Sequence, residues 1–205
     1  MVFGEYLKEK YGVNEPIYIE DIQFKGYSRP WIFKELKKLL DNNEIKRFDA
    51  GIYYFPIKMV YGEGTLSADK IVKRRFLTDG NDIYGYVAGI SLMNQTGLST
   101  QVPNLLELVT NNESTRVRDI DIGNQRVRAR RSRTIVTKTN FLTLQFLDLM
   151  NSISPKAMDE TERFMLSKYI KVAGITKESV LQYAKFFPAK ALKNMVESGA
   201  VYELA

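Results

Sequence analysis

The first residues whose type and spacing suit chemistry are Asp119 and Asp121, one residue apart in Asp-Ile-Asp. On a strand, alternate side chains share a face, and nucleotidyltransferases use two such carboxylates to hold magnesium. The rest of that apparatus is missing, because the sequence has no Gly-Ser pair to position a triphosphate. Glu107-Leu108-Val109 has no lysine where an E-x-K nuclease strand needs one, and neither a Walker loop nor a G-x-G-x-x-G run occurs. Histidine and cysteine are both absent. Their absence removes thiolate nucleophiles, disulfides, the usual zinc sites, serine-histidine triads and the commonest general base. A divergent nuclease or nucleotidyltransferase is the enzymatic alternative that is left. The expectation is a non-enzyme with no catalytic residue, no metal and no cofactor.

Cations offer a second kind of chemistry, the binding of acidic partners. The 205 residues carry a formal net charge of +6. Positions 116 to 138 hold seven arginines and one lysine against two aspartates; eight minus two is +6, the net charge of the whole chain. Residues 1–62 hold ten basic and nine acidic side chains, a net of +1, but from Lys25 to Arg47 seven basic residues stand against three acidic ones. Two candidate sites follow. Ser28, Arg29, Trp31, Lys34, Lys38, Lys46 and Arg47 form a candidate DNA-contact set, and Arg116, Arg130, Arg131 and Arg133 a basic patch for nucleic acid or an acidic protein.

The elements that must position the first set are legible locally. Val2 to Tyr11 suggests a helix, and Tyr18 to Gln23 a short second helix after Pro16. Gly26 and Tyr27 turn the chain, Ser28 suits an N-cap, and Pro30 is tolerated in a first turn that needs no donor. The third helix should run to about Asp41 and stop at Asn42-Asn43. At about 100° per residue, Ile32, Phe33, Leu36, Leu39 and Leu40 make one apolar stripe, with Trp31, Lys34 and Lys38 opposite. Trp31 has a second reading, packed beneath the following hairpin or against the first helix. Glu44–Phe48 and Ile52–Pro56 read as two strands around the corner Asp49-Ala50-Gly51, with Gly51 left-handed. Helix, helix, turn, helix, hairpin is the order of a winged helix-turn-helix, whose third helix enters the major groove while the hairpin reaches backbone or minor groove.

Tyr61-Gly62-Glu63-Gly64 is the most linker-like stretch. Beyond it, Asp82–Gln95 reads as a helix in which Gly85, Ala88 and Gly89 leave one side narrow. Glycine costs a helix about 1 kcal/mol relative to alanine, so close backbone packing is the expected compensation. Residues 99–104 read as an extended turn and Leu105–Asn112 as a buried strand. Gly123-Asn124 suits a two-residue turn that pairs residues whose numbers sum to 247. That register sets Asp121 opposite Arg126, Asp119 opposite Arg128 and Ile120 opposite Val127, and it leaves Arg116, Arg130, Arg131 and Arg133 without partners. From Pro155 onward the pattern is helical, with Pro188 opening a last helix.

The stretch YGYVAGISLMNQTGLSTQVPN at 84–104, following an N-terminal unit with GIYYFP at 51–56, resembles the AbiEi-like antitoxins of bacterial type IV toxin-antitoxin systems over residues 1–150. The resemblance implies a winged helix that binds inverted repeats in double-stranded DNA at its own promoter and represses transcription. It also implies a remainder that opposes a nucleotidyltransferase-like toxin, with no stable toxin complex required. No catalytic residue carries over. The expected fold is α+β: a winged helix-turn-helix at 1–62, a mixed α/β region at 65–150 and a helical region at 151–205. The alternative function is a winged-helix interaction module whose arginine hairpin binds an acidic protein. With 44% hydrophobic residues, and no apolar run near the roughly 18 residues of a membrane span, a cytoplasmic protein with no membrane partner is expected. Monomer and dimer both remain open.

Overall fold

A computed structural model describes residues 2–60 and 62–205. The fold is α+β, and the chain divides into two compact units, 1–71 and 72–205. The division falls later than the expected boundary at 62. The reason is local: the expected linker takes part in a small hairpin, β4 (Lys58–Met59) with β5 (Gly62–Glu63), in which Gly62 pairs with Met59. Tyr61, the first residue of the expected linker, lies outside the described residues.

The first unit begins with α1 (Phe3–Tyr11), which buries Phe3 and Leu7, one helical turn apart. Next come β1 (Ile17–Tyr18) and a 3-10 turn at Ile19–Asp21, where a second helix was expected. Tyr18 pairs with Ile52 in a sheet, and that pairing takes the residue the helix would have started on. Then α2 (Arg29–Asp41) leads into β2 (Lys46–Asp49) and β3 (Ile52–Tyr54), and the antiparallel sheet has the order β1-β3-β2. Ile32, Leu36 and Leu39 are the buried face of α2 and meet Phe3, Leu7 and Ile45 in one core. The hairpin is tighter than expected. Asp49 pairs with Ile52, a bulge lies between Arg47 and Asp49, and Gly51 takes the left-handed backbone at φ 74°.

The second unit starts in α3 (Ala68–Val72), which crosses the division and loosens into a π-helical turn at Lys73–Leu77. The expected helix at 82–95 is corrected. A small hairpin, β6 (Thr78–Asp79) with β7 (Asp82–Ile83), leads to β8 (Gly85–Val87), and only α4 (Gly89–Gln95) is helical. The narrow side is real but serves a strand: a Cβ on Gly85 would strike the Phe76 carbonyl oxygen and come within 2.7 Å of that of Val109. Helix propensity thus gives way to close packing between backbones. The main sheet adds β9 (Leu106–Thr110), β10 (Val117–Ile122) and β11 (Gln125–Arg131) in the order β10-β11-β9-β8. The β10–β11 register is the one Gly123-Asn124 implies, from Val117–Arg130 to Ile122–Gln125.

Four helices complete the unit: α5 (Phe141–Ser152), α6 (Glu160–Ala173), α7 (Lys177–Ala184) and α8 (Ala189–Glu197). Pro188 stands at the N-cap of α8, as expected. Residues 151–205 are not a separate region, however. Every residue from Thr143 to Met150 is buried, so α5 needs cover on all sides. Leu166, Ile170, Val180, Ala191 and Met195 of the later helices share one core with Tyr86, Val109 and Leu147. Gln145 of α5 is satisfied within it, donating to the Val87 carbonyl at 2.8 Å and accepting from the Tyr169 hydroxyl at 3.0 Å. Among the described residues, no helix is long and apolar enough to cross a membrane.

Candidate nucleic-acid interface

The outward side of α2 is built by elimination. Its buried side is fixed by Ile32, Leu36 and Leu39, so residues three or four apart on the other side face away from the core. Lys34, Lys37 and Lys38 are all exposed there. Lys38 is held by Glu35 at 2.5 Å, whereas Lys34 and Lys37 make no ion pair among the described residues. Asp41, also exposed, closes the face at its C-terminal end. Phe33 was expected in the apolar stripe but is 55% exposed and lies beside these lysines. Its place at the stripe's edge explains this, since 100° steps set it well away from the centre of the buried arc.

Three expected contacts at the start of α2 are otherwise engaged. Trp31 does not point outward: it stacks on Phe24 at 5.7 Å, meets Phe3 edge-on at 5.3 Å and lies 3.9 Å from Tyr27, centroid to centroid. Aromatic area and ring geometry outweigh a solvent position for so large a side chain, and its second reading, packing against α1, is the observed one. The Arg29 guanidinium donates to the backbone carbonyls of Ile19 and Glu20, at 2.5 and 2.9 Å, tying α2 to the 3-10 turn. Ser28 does occupy the N-cap, but its hydroxyl makes no capping bond.

On the β2–β3 hairpin, Lys46 is bound to Glu63 of β5 at 2.5 Å. That hydrogen bond raises the pKa of Lys46, so it stays charged but is not free. Arg47 is exposed, with its Nε donating to the Asp49 carbonyl at 3.2 Å, near the hairpin tip. Of the seven residues expected to contact DNA, Lys34 and Lys38 share one open face and Arg47 stands exposed on the hairpin. Sequence reasoning missed Lys37 and Phe33. For Lys37 the signal was available, because a lysine three residues after Lys34 falls on the same face.

The arginine hairpin of the second unit is largely spent on internal partners. Arg128 binds Asp119 in two hydrogen bonds, at 2.8 and 2.9 Å, and Arg126 lies 3.7 Å from Asp121, as the register requires. The Arg128 bond lowers the pKa of Asp119. Arg130, expected to be free, reaches Asp148 of α5 at 3.1 Å, where the carboxylate is 2% exposed and also accepts from the Tyr86 hydroxyl at 3.0 Å. Arg118 binds buried Glu113 at 2.9 Å. Burial acts to raise the pKa of Glu113, but hydrogen bonds from Thr115 and the charge of Arg118 outweigh it and hold the carboxyl below its ordinary value. Arg133 lies over the Phe187 ring at 5.5 Å, and Arg116 and Arg131 are exposed with no ion pair among the described residues.

The carboxylates weighed for catalysis are engaged as well. Asp119 and Asp121 each face an arginine, and Glu107 accepts from the Ile90 amide at the start of α4, at 3.4 Å. No group of three or more carboxylates that would hold a metal occurs among the described residues.

The architecture is that of an α+β protein of two compact units, with one open cationic helix face in the first. The model of DUF6088, a family of unknown function, matches residues 16–176, and the chain belongs to that family. No curated protein matches the chain.

Proposed function

We propose that this chain is a DNA-binding regulator that lays α2 in the major groove of double-stranded DNA and steadies it with the β2–β3 hairpin. The observation that carries this reading is the pair Lys34 and Lys37, exposed on the outward face of α2 and without ion pairs among the described residues. Helix, strand, turn, helix and hairpin on a sheet of order β1-β3-β2 support a winged-helix arrangement, with the 3-10 turn standing where a second helix would lie. Two such lysines and Arg47 suit phosphates, whose neutralisation releases counterions. The reading extends to a cytoplasmic autorepressor that binds an inverted repeat in its own promoter. It assigns the chain no catalytic step. The antitoxin role, opposing a nucleotidyltransferase-like toxin without a stable complex, rests on the likeness to AbiEi-like proteins.

The test is binding to the DNA upstream of the protein's own reading frame, against random duplex, at two salt concentrations. A preference for the upstream DNA, with affinity falling steeply as salt rises, is expected; equal binding to both duplexes sinks the repressor. The antitoxin half is tested by co-expression with the product of the adjacent reading frame. Rescue of growth is expected, and continued toxicity rejects that half alone.

A second reading is favoured by Arg116 and Arg131, exposed near exposed Val117 at the open end of the β10–β11 pair. Arginine next to exposed apolar surface suits an acidic protein partner. Loss of a captured partner on replacing both arginines, with DNA binding unchanged, is its signature.

A further inference from the structure

We infer that Phe33 is a specificity-determining residue that reads thymine methyl groups in the major groove. This rests on the DNA-binding reading and adds to it which base feature is recognised.

Reading bases by hydrogen bonds in the major groove relies on arginine or lysine for guanine and on asparagine or glutamine for adenine. The helix α2, RPWIFKELKKLLD, contains no asparagine or glutamine. Its one arginine, Arg29, is bound to two backbone carbonyls, and Trp31 is stacked among Phe3, Phe24 and Tyr27. Of the side chains that usually discriminate bases, only lysine is left on its open face. Lys34 and Lys37 remain, and they suit phosphate as readily as base edges.

What stands out on that face is apolar. Phe33 is 55% exposed, in the N-terminal half of α2, where a recognition helix meets bases. Its exposed neighbours along the helix are Pro30, Lys34 and Lys37. The exposed half of so large a ring, left in water beside lysines, adds nothing to the fold of this unit. Against duplex DNA it has one apolar counterpart, the C5 methyl of thymine, which projects into the major groove. The lysines would hold the helix to the backbone while the ring covers the methyl.

The test uses two duplexes of the same upstream sequence, one with thymine and one with deoxyuridine throughout. Deoxyuridine removes the methyl and keeps every hydrogen-bonding group. Wild-type protein should bind the thymine duplex more tightly, by about fourfold for each methyl covered. Phe33→Ala should bind both duplexes alike, and Phe33→Leu should keep part of the preference. Lys34→Ala should weaken both duplexes by the same factor. Equal binding of the two duplexes by wild type overturns the inference, as does a thymine preference that survives in Phe33→Ala; either result leaves the DNA-binding reading standing. Failure of wild type to bind any duplex removes both. The duplex comparison leaves the protein unaltered, so its outcome does not depend on how a variant folds.

Discussion

The outward face of α2 and the arginine hairpin of β10 and β11 invert what their charge counts suggest. The hairpin segment carries the whole net charge of +6, yet four of its seven arginines bind Glu113, Asp121, Asp119 and Asp148. Residues 1–62 are nearly neutral, yet Lys34 and Lys37 stand exposed without ion pairs among the described residues. Affinity for an anion depends on cations that are not already compensated, so the summed charge of a segment is a poor guide to where a ligand binds. The difference also separates two uses of arginine and lysine. The planar guanidinium forks join carboxylates in pairs within the second unit, while Lys34 and Lys37 of α2 stay in water.

The largest effect that would sharpen this contrast is on stability. Asp148→Ala leaves Arg130 and the Tyr86 hydroxyl without their shared acceptor in the core. Leaving a partly buried guanidinium and a buried hydroxyl without their acceptor destabilises a protein by roughly 1–3 kcal/mol. A clear fall in the chemical denaturation midpoint is expected, and an unchanged midpoint would show that the hairpin arginine is not structural.

Next in size is the binding effect on the first unit. Replacing Lys34 and Lys37 together by alanine should lower the slope of log affinity against log salt by about 0.9 for each phosphate that is no longer neutralised. Titration of labelled upstream DNA at several salt concentrations reads this directly. Replacing Arg116 and Arg131 in the same assay should leave affinity within about twofold of wild type, the spread expected of rim charges outside the contact. If the arginine pair moves the salt slope and the lysine pair does not, the comparison is reversed and the site lies on the second unit.

The smallest effect is a pH dependence. Glu113 has a lowered pKa in the folded protein, so it contributes stability above the ordinary carboxylate pKa of about 4.3 and loses it as pH falls through the lower folded value. Glu113→Gln should therefore flatten the loss of stability on acidification below about pH 5. Unfolding midpoints of both proteins across that range check it, and parallel curves would count against the assigned role.

Local chemistry made much of the molecule legible. The end of α2 at Asp41, the left-handed Gly51, the β10–β11 register and Pro188 at the N-cap of α8 follow from short-range rules of capping, turns and period. The Asp82–Gln95 segment misled because its narrow residues fit a helix locally, while the contact that decides, Gly85 against the backbones of Phe76 and Val109, comes from outside the segment. The candidate site divides in the same way. The sequence by itself determined which cations could share the outer face of α2, because that depends only on helical period. Of these, Lys38 is held by Glu35, three residues away, but for the other candidate site residues tertiary structure decided which stay free: Arg29 meets carbonyls of the 3-10 turn, Trp31 meets Phe3, Lys46 meets Glu63 and Arg130 meets Asp148. Each of these tertiary partners is distant along the chain, so no local pattern encodes the pairing, and only the folded chain brings the two groups together.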